Sequence, residues 1–242
     1  MEKRIIARGL LAGAIASVAA WVFARTLVEP VIGEAIAFEG AHAGGHDHGV
    51  EMFSRGVQAN IGMGFGVLAF GVAMGALFAV AYCVVYGRVG NLSPRLLSVL
   101  LAGAMFLSLY VVPFLKYPAS PPAVSLDETI RQRTLLYLMM VVLSVALLAG
   151  AVWLGRHLLV RFGAWSASLL AAGAYLVGVA AVMFALPTIN EMPDGFPAQV
   201  LYEFRLYSLG TQLVLWAVIA VVFGSAVQRL LTDGARRVEA LV

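Results

Sequence analysis

Charge is scarce in this chain. Asp, Glu, Lys and Arg make up only 12% of its 242 residues, about half the ~25% of a soluble domain. Lysine is reduced to Lys3 and Lys116, and neither closes a Gly-x-x-x-x-Gly-Lys loop, so no P-loop is present to cradle a nucleotide. His-Glu-x-x-His and Gly-x-Ser-x-Gly are missing too, which removes the common zinc-protease and serine-hydrolase mechanisms. Cysteine occurs once, as Cys83, and excludes an intrachain disulfide. The net charge of +3 is spread over separate segments and leaves no basic patch for nucleic acid. The expectation is neither an enzyme nor a nucleic-acid binder.

What is abundant is apolar surface: 62% of the residues are hydrophobic. A membrane barrel would alternate polar and apolar residues at every second position. Here the runs are continuous, rich in Ala, Gly, Leu and Val, and long enough for helices of about 20 residues. Six stretches qualify: 5–23, 61–86, 96–115, 135–154, 168–186 and 206–227. The class expected is an all-α integral membrane protein, one membrane domain built as a bundle of about six transmembrane helices, with five as the other count. The first stretch follows a basic start, Met1-Glu2-Lys3-Arg4, and also has the form of a secretory signal. Its length and its continuation into another helical pattern favour a retained helix.

Lys and Arg concentrate on the cytoplasmic side of membrane proteins. With six spans, ten of the sixteen basic residues fall on the side of the two termini, which places both termini in the cytoplasm and the chain in the inner membrane. Ten of the thirteen acids fall on the opposite side, giving that face a net charge of −4 that attracts cations.

The first segment on that outer face, 24–58, carries most of the chemistry. It opens as a short helix near Arg25–Glu39, with Pro30 suited to a first turn. Gly40, Gly44 and Gly45 are then expected to end it. Three of the four histidines follow within seven residues: His42, His46 and His48, with Asp47 among them and Glu39 and Glu51 flanking. Imidazole and carboxylate are the ligand types that hold Co, Ni, Zn or Cu ions. The expectation is an extracytoplasmic loop folded round a divalent metal ion, with His42, His46, His48 and Asp47 as ligands and Glu39 or Glu51 completing the shell. The cluster is a compositional signal rather than a diagnostic spacing.

Two further outer segments support this face. In 116–134, three prolines stiffen the chain, and Ser125 with Glu128 has the form of a capping box. In 187–205, Pro193-Asp194-Gly195 is a turn signal. Glu191 and Asp194 offer further oxygen ligands there, and Glu203 and Arg205 offer charges to pair with the first segment, where Glu29 and Arg55 lie.

The spans themselves hold no Asp, Glu, Lys or Arg near their centres, so any ion must pass on neutral groups. Asn60 opens the second span, and Ser208, Thr211 and Gln212 share one face of the last. That stripe serves either ion passage or helix packing. Gly62/Gly66 and Gly71/Gly75 form two Gly-xxx-Gly pairs for close helix contact, within the chain or with a partner.

Several strings together resemble one family. They are Val28-Glu-Pro-Val-Ile-Gly-Glu-Ala35, the histidine stretch followed by Arg55, and Pro193-Asp-Gly-Phe-Pro-Ala198. Phe204-Arg-Leu206, Ser208-Leu-Gly-Thr-Gln212 and Trp216 complete the likeness. On these residues the chain resembles the CbtA family of cobalt-transporter subunits. The resemblance implies five spans, cobalt uptake for cobalamin synthesis, and a small single-span, His-bearing CbtB partner beside it in the lipid bilayer. The substrate it implies is a divalent ion, cobalt before nickel, with no nucleotide. The other reading of the same residues is a membrane metal sensor, chaperone or scaffold that binds the ion without moving it.

Overall fold

The computed structural model describes residues 2–42, 54–122, 127–189, 192–193 and 195–239. Among them every regular element is helical, and five stretches are long and apolar enough to cross a membrane. They are Glu2–Ala41, Gln58–Val85, Pro94–Lys116, Thr129–Ala185 and Ala198–Thr232. Large apolar side chains such as Phe65, Val160, Val177 and Phe184 point outward, at 70, 97, 70 and 91% exposure. An outside this apolar matches hydrocarbon rather than water.

α1 (Glu2–Phe23) does not stop where the first apolar run ends. It passes through a π-helical turn, Ala24–Val28, into α2 (Glu29–His42). The widened turn has a local cause. Pro30 has no N–H to return to residue 26, and its ring crowds that carbonyl in a regular helix. An i→i+5 turn just before the proline relieves the clash while the helix continues. Gly40, expected to break α2, lies inside it. One glycine costs a helix only about 1 kcal/mol, which neighbouring turns absorb. The same device recurs in the third stretch. There α5 (Pro94–Phe106) enters α6 (Val112–Lys116) through the π-turn Leu107–Val111, and Pro113 follows. The carbonyl deprived of its α-helical donor there, Leu109 O, accepts from the Tyr137 hydroxyl at 3.4 Å. Before α4 (Met63–Val85) comes a further pair, the short α3 (Arg55–Val57) and a π-turn, Gln58–Gly62.

The chain divides into two compact units. The first, Met1–Gly103 with Tyr202–Val242, is held by backbone-to-backbone contact between α1 and α4. A Cβ added to Gly13 would collide with the Gly71 carbonyl, and one on Gly75 with the Gly9 carbonyl. Ser17 extends the same stripe, its Oγ donating to Gly13 O at 2.7 Å and facing Gly71. So Gly71/Gly75 is an intramolecular packing pair, worth close van der Waals contact that larger residues forbid. Gly62/Gly66 is not one, because space around Gly66 is open. α8 (Ala198–Glu239) adds a stripe of Leu215, Ile219, Phe223 and Val227, all essentially buried. Phe223 meets Phe78 and Tyr82 of α4 edge-on, each at 5.0 Å between centroids. Ser98 Oγ donates to Ala220 O at 2.8 Å, and Arg8 Nε to Ala226 O at 3.1 Å, tying α5 and α1 to α8.

The second unit, Ala104–Leu201, is organised by α7 (Asp127–Ala185). Its 59 residues are two helical arms, since Gly163 leaves helical geometry at φ 73°, ψ 168°, a region open essentially to glycine alone. Gly155 and Ala171, eight residues either side, meet so closely that a Cβ on Gly155 would stand 3.1 Å from the alanine Cβ. Farther from the turn, Leu147 packs on Gly178. The arms therefore run antiparallel. Between them the hydroxyls of Ser144 and Tyr175 share a buried hydrogen bond of 3.0 Å. At the ends remote from Gly163, the Tyr117 hydroxyl donates to Pro187 O at 2.8 Å, and Lys116 Nζ lies 3.2 Å from Thr188 Oγ1. Arg133 donates to Pro118 O at 3.1 Å, so these three segments close one another. Burial pushes the Tyr117 phenol up and keeps it a donor.

Candidate functional site

The expected metal ligands divide sharply by position. His42 is the final residue of α2, three residues after the exposed Glu39, so both follow the same helix to its end. The side chain of His42, together with His46, Asp47, His48 and Glu51, lies outside the described residues, as do Glu191, Asp194 and the side chain of Arg55. The Ser125–Glu128 capping box lies outside them too. Among the described residues, no three His, Cys, Asp or Glu side chains gather into a group able to hold a metal. Glu29, Glu203 and Arg205 are half-buried, and each is engaged by other groups of the chain.

Asn60 proves to be a structural anchor. Arg25 Nε donates to its Oδ1 at 2.9 Å, while its own Nδ2 donates to Gly56 O at 2.8 Å. Both partners sit in π-turns, Arg25 beyond α1 and Asn60 ahead of α4. The extra residue in each turn shifts the side-chain register by about 100°, which is how such turns re-aim a group. In the sequence Arg25 marked only the start of a short helix. Its pairing was not visible there, because the two residues lie 35 apart and no periodicity relates them.

Below that clasp, α1, α4 and α8 line a half-open cavity of about 230 Å³. Ala20, Gly66, Val67 and Phe70 form its apolar walls, and Thr211 and Gln212 supply its polar edge, with Leu215 beneath. Ala20 precedes Arg25 by five residues, about 7 Å along the helix. Gly66 is what leaves room, since a Cβ there would meet nothing within 4 Å. Thr211 Oγ1 donates to Tyr207 O at 2.8 Å, which satisfies its proton and leaves its oxygen able to accept. Ser208, the third member of the stripe, does not line the cavity. One residue went unnoticed in the sequence. Trp21 Nε1 is buried beside Gly64 without a hydrogen-bond partner among the described residues.

Hydroxyl and amide oxygens are hard, neutral donors. They suit water and hydrated cations but give no tight site for a bare transition metal, which wants imidazole or thiolate. Six waters occupy roughly 180 Å³ in the liquid, at ~30 Å³ each. The cavity is large enough for an ion that keeps its hydration shell.

A family model described as "Probable cobalt transporter subunit (CbtA)" matches residues 2–228, nearly the whole chain. No curated protein and no solved structure matches it.

Proposed function

The chain belongs to the CbtA family of probable cobalt transporter subunits, and from that premise we propose that it is the membrane subunit of a divalent-cation uptake system. Cobalt is the substrate, with nickel next in line. A transporter subunit is not an enzyme class, and the residues above offer substrate handling rather than bond-making. Six crossings of the cytoplasmic membrane follow if each arm of α7 spans it, since the shorter arm, 164–185, reaches about 33 Å. Both termini then lie in the cytoplasm, and the histidine segment faces outward.

In this reading His42, His46, His48 and Asp47 capture the ion, with Glu39 or Glu51 filling the shell. The ion then passes, hydrated, beneath the Arg25–Asn60 clasp to Thr211 and Gln212. The observation that carries it is the cavity itself. Among the described residues, the two polar side chains on its wall, Thr211 and Gln212, come from the face of α8 that the sequence marked, and α1 continues from it through α2 to His42. A small single-span CbtB-like subunit is the expected partner, supplying ligands along a route whose wall, among the described residues, holds no carboxylate or imidazole.

Cobalt accumulation in cells expressing the chain and its partner tests this. Replacing the three histidines by Ala should raise the external cobalt needed for half-maximal uptake about ten-fold. Thr211→Val with Gln212→Leu should instead lower the maximal rate. Unchanged uptake in both variants removes loop and cavity from the mechanism. The absence of charged ligands on the cavity wall favours a second reading, a sensor or scaffold that binds without translocating. Reconstituted vesicles separate the two: cobalt enters the lumen in the first and stays on the surface in the second.

A further inference from the structure

Along the antiparallel arms of α7 runs a second kind of space, an open groove with Leu107 at one edge and no part in the cation route. A slot of about 440 Å³ is lined by Leu148, Ala151, Leu159 and Ala172 and by one charged group, Arg156. It shares Ala151 and Tyr175 with a further apolar slot of about 350 Å³ that reaches back to Leu143. From Leu148 to Leu159 is roughly 16 Å of helix, about the ~15 Å depth of one leaflet. Glycine and alanine keep it open, and Ser168 sits on the opposite arm near the turn.

The charge at its mouth has no acidic partner among the described residues. No Asp or Glu occurs between Glu128 and Glu191. Arg156 and Arg161 make no ion pair among the described residues. Around them stand exposed aromatics: Trp153 stacks on His157 at 5.8 Å, Arg161 lies 5.3 Å over the Phe162 ring, and Trp165 is 78% exposed. Exposed Trp beside Arg marks the headgroup level of a bilayer. A lone guanidinium in that layer, above an apolar slot, is complementary to a phosphate carrying acyl chains.

We propose that the α7 hairpin holds an anionic phospholipid, its phosphate on Arg156 and one acyl chain in the slot between the arms. Arg161 adds positive potential at the same level without lining the slot. The proposal is independent of the metal reading, since none of these residues belongs to the cavity of α1, α4 and α8.

Native mass spectrometry of the full chain in detergent, titrated with phosphatidylglycerol or phosphatidylcholine, tests it. Phosphatidylglycerol should be retained at least five-fold better, the factor expected for about one basic residue against an anionic surface. Arg156→Gln should bring the two lipids level, whereas Arg88→Gln, on the other unit, should keep the preference. Ala172→Leu fills the slot without touching charge and should cut retention of both lipids. Inorganic phosphate at millimolar concentration should not displace the lipid. Equal retention of the two lipids by the unaltered chain, or an undiminished preference in Arg156→Gln, overturns the proposal. So does full displacement by free phosphate. Melting temperature without added lipid shows whether each variant is folded.

Discussion

Arg25 Nε donates to Asn60 Oδ1 over 2.9 Å, and this bond joins the π-turn leaving α1 to the π-turn entering α4. Asn60→Leu removes that acceptor and the bond to Gly56 O together. Both groups are near solvent, so the expected loss is small, about 1 kcal/mol. Asn60→Asp keeps an acceptor for the guanidinium and should retain stability. Thermal unfolding in one detergent compares them, and equal losses in both variants would remove the clasp's structural role.

The glycines of α4 should respond in opposite ways. Gly71→Leu drives a side chain into Ser17, Leu215 and the Gly13 carbonyl, so the folded peak should disappear from gel filtration. Gly66→Ala enters open space and should leave the folded peak unchanged, or slightly stabilise the helix. Gly66→Leu should also fold, while filling the cavity beside Thr211 and Gln212 and lowering maximal cobalt uptake about ten-fold.

Gly163 should tolerate no side chain cheaply. At φ 73°, ψ 168°, Gly163→Ala costs about 1–3 kcal/mol of strain, read as a lower unfolding temperature. The antiparallel arms also predict topology. In a Cys83→Ser background, Ala119→Cys and Thr188→Cys should react with an impermeant thiol reagent from one side and Arg161→Cys from the other. Labelling of all three from one side would mean that the arms do not cross.

Cobalt capture should weaken on acidification. Imidazole binds a metal only when neutral, so protons and cobalt compete for the same nitrogens. Cobalt affinity of the purified chain, measured by calorimetry, should fall at least ten-fold between about pH 7.5 and pH 5. It should become nearly flat when His42, His46 and His48 are all Ala. A flat profile in the unaltered chain would exclude histidine as the capturing ligand.

The helices were legible because lipid demands long apolar runs, and charge patterning separated them well. The turns were not. The expected span 135–154 stopped short, whereas helix continues to Gly163, its Arg and His side chains exposed. A lone glycine with positive φ looks, in sequence, like any of the other twenty-four. The same limit applies to Gly71 and Gly66, alike as letters and opposite in packing. Thr211 and Gln212 were legible because helical spacing put them on one face. Ser208 shared that face by rule but misses the cavity, since a wall is set by what stands opposite. Glu39 and the ring of expected ligands rest on composition alone, which fixes donor chemistry and not geometry.

Arg8 and Ala226 are bonded across 218 positions of chain. During synthesis α1 enters the membrane long before α8 exists, with its glycine stripe matched by α4 and its other contact still missing. The first unit is therefore sealed only once α8 has been made, long after α1. A chain interrupted ahead of α8 leaves Arg8 without its acceptor and Phe78 and Tyr82 without the ring that covers them.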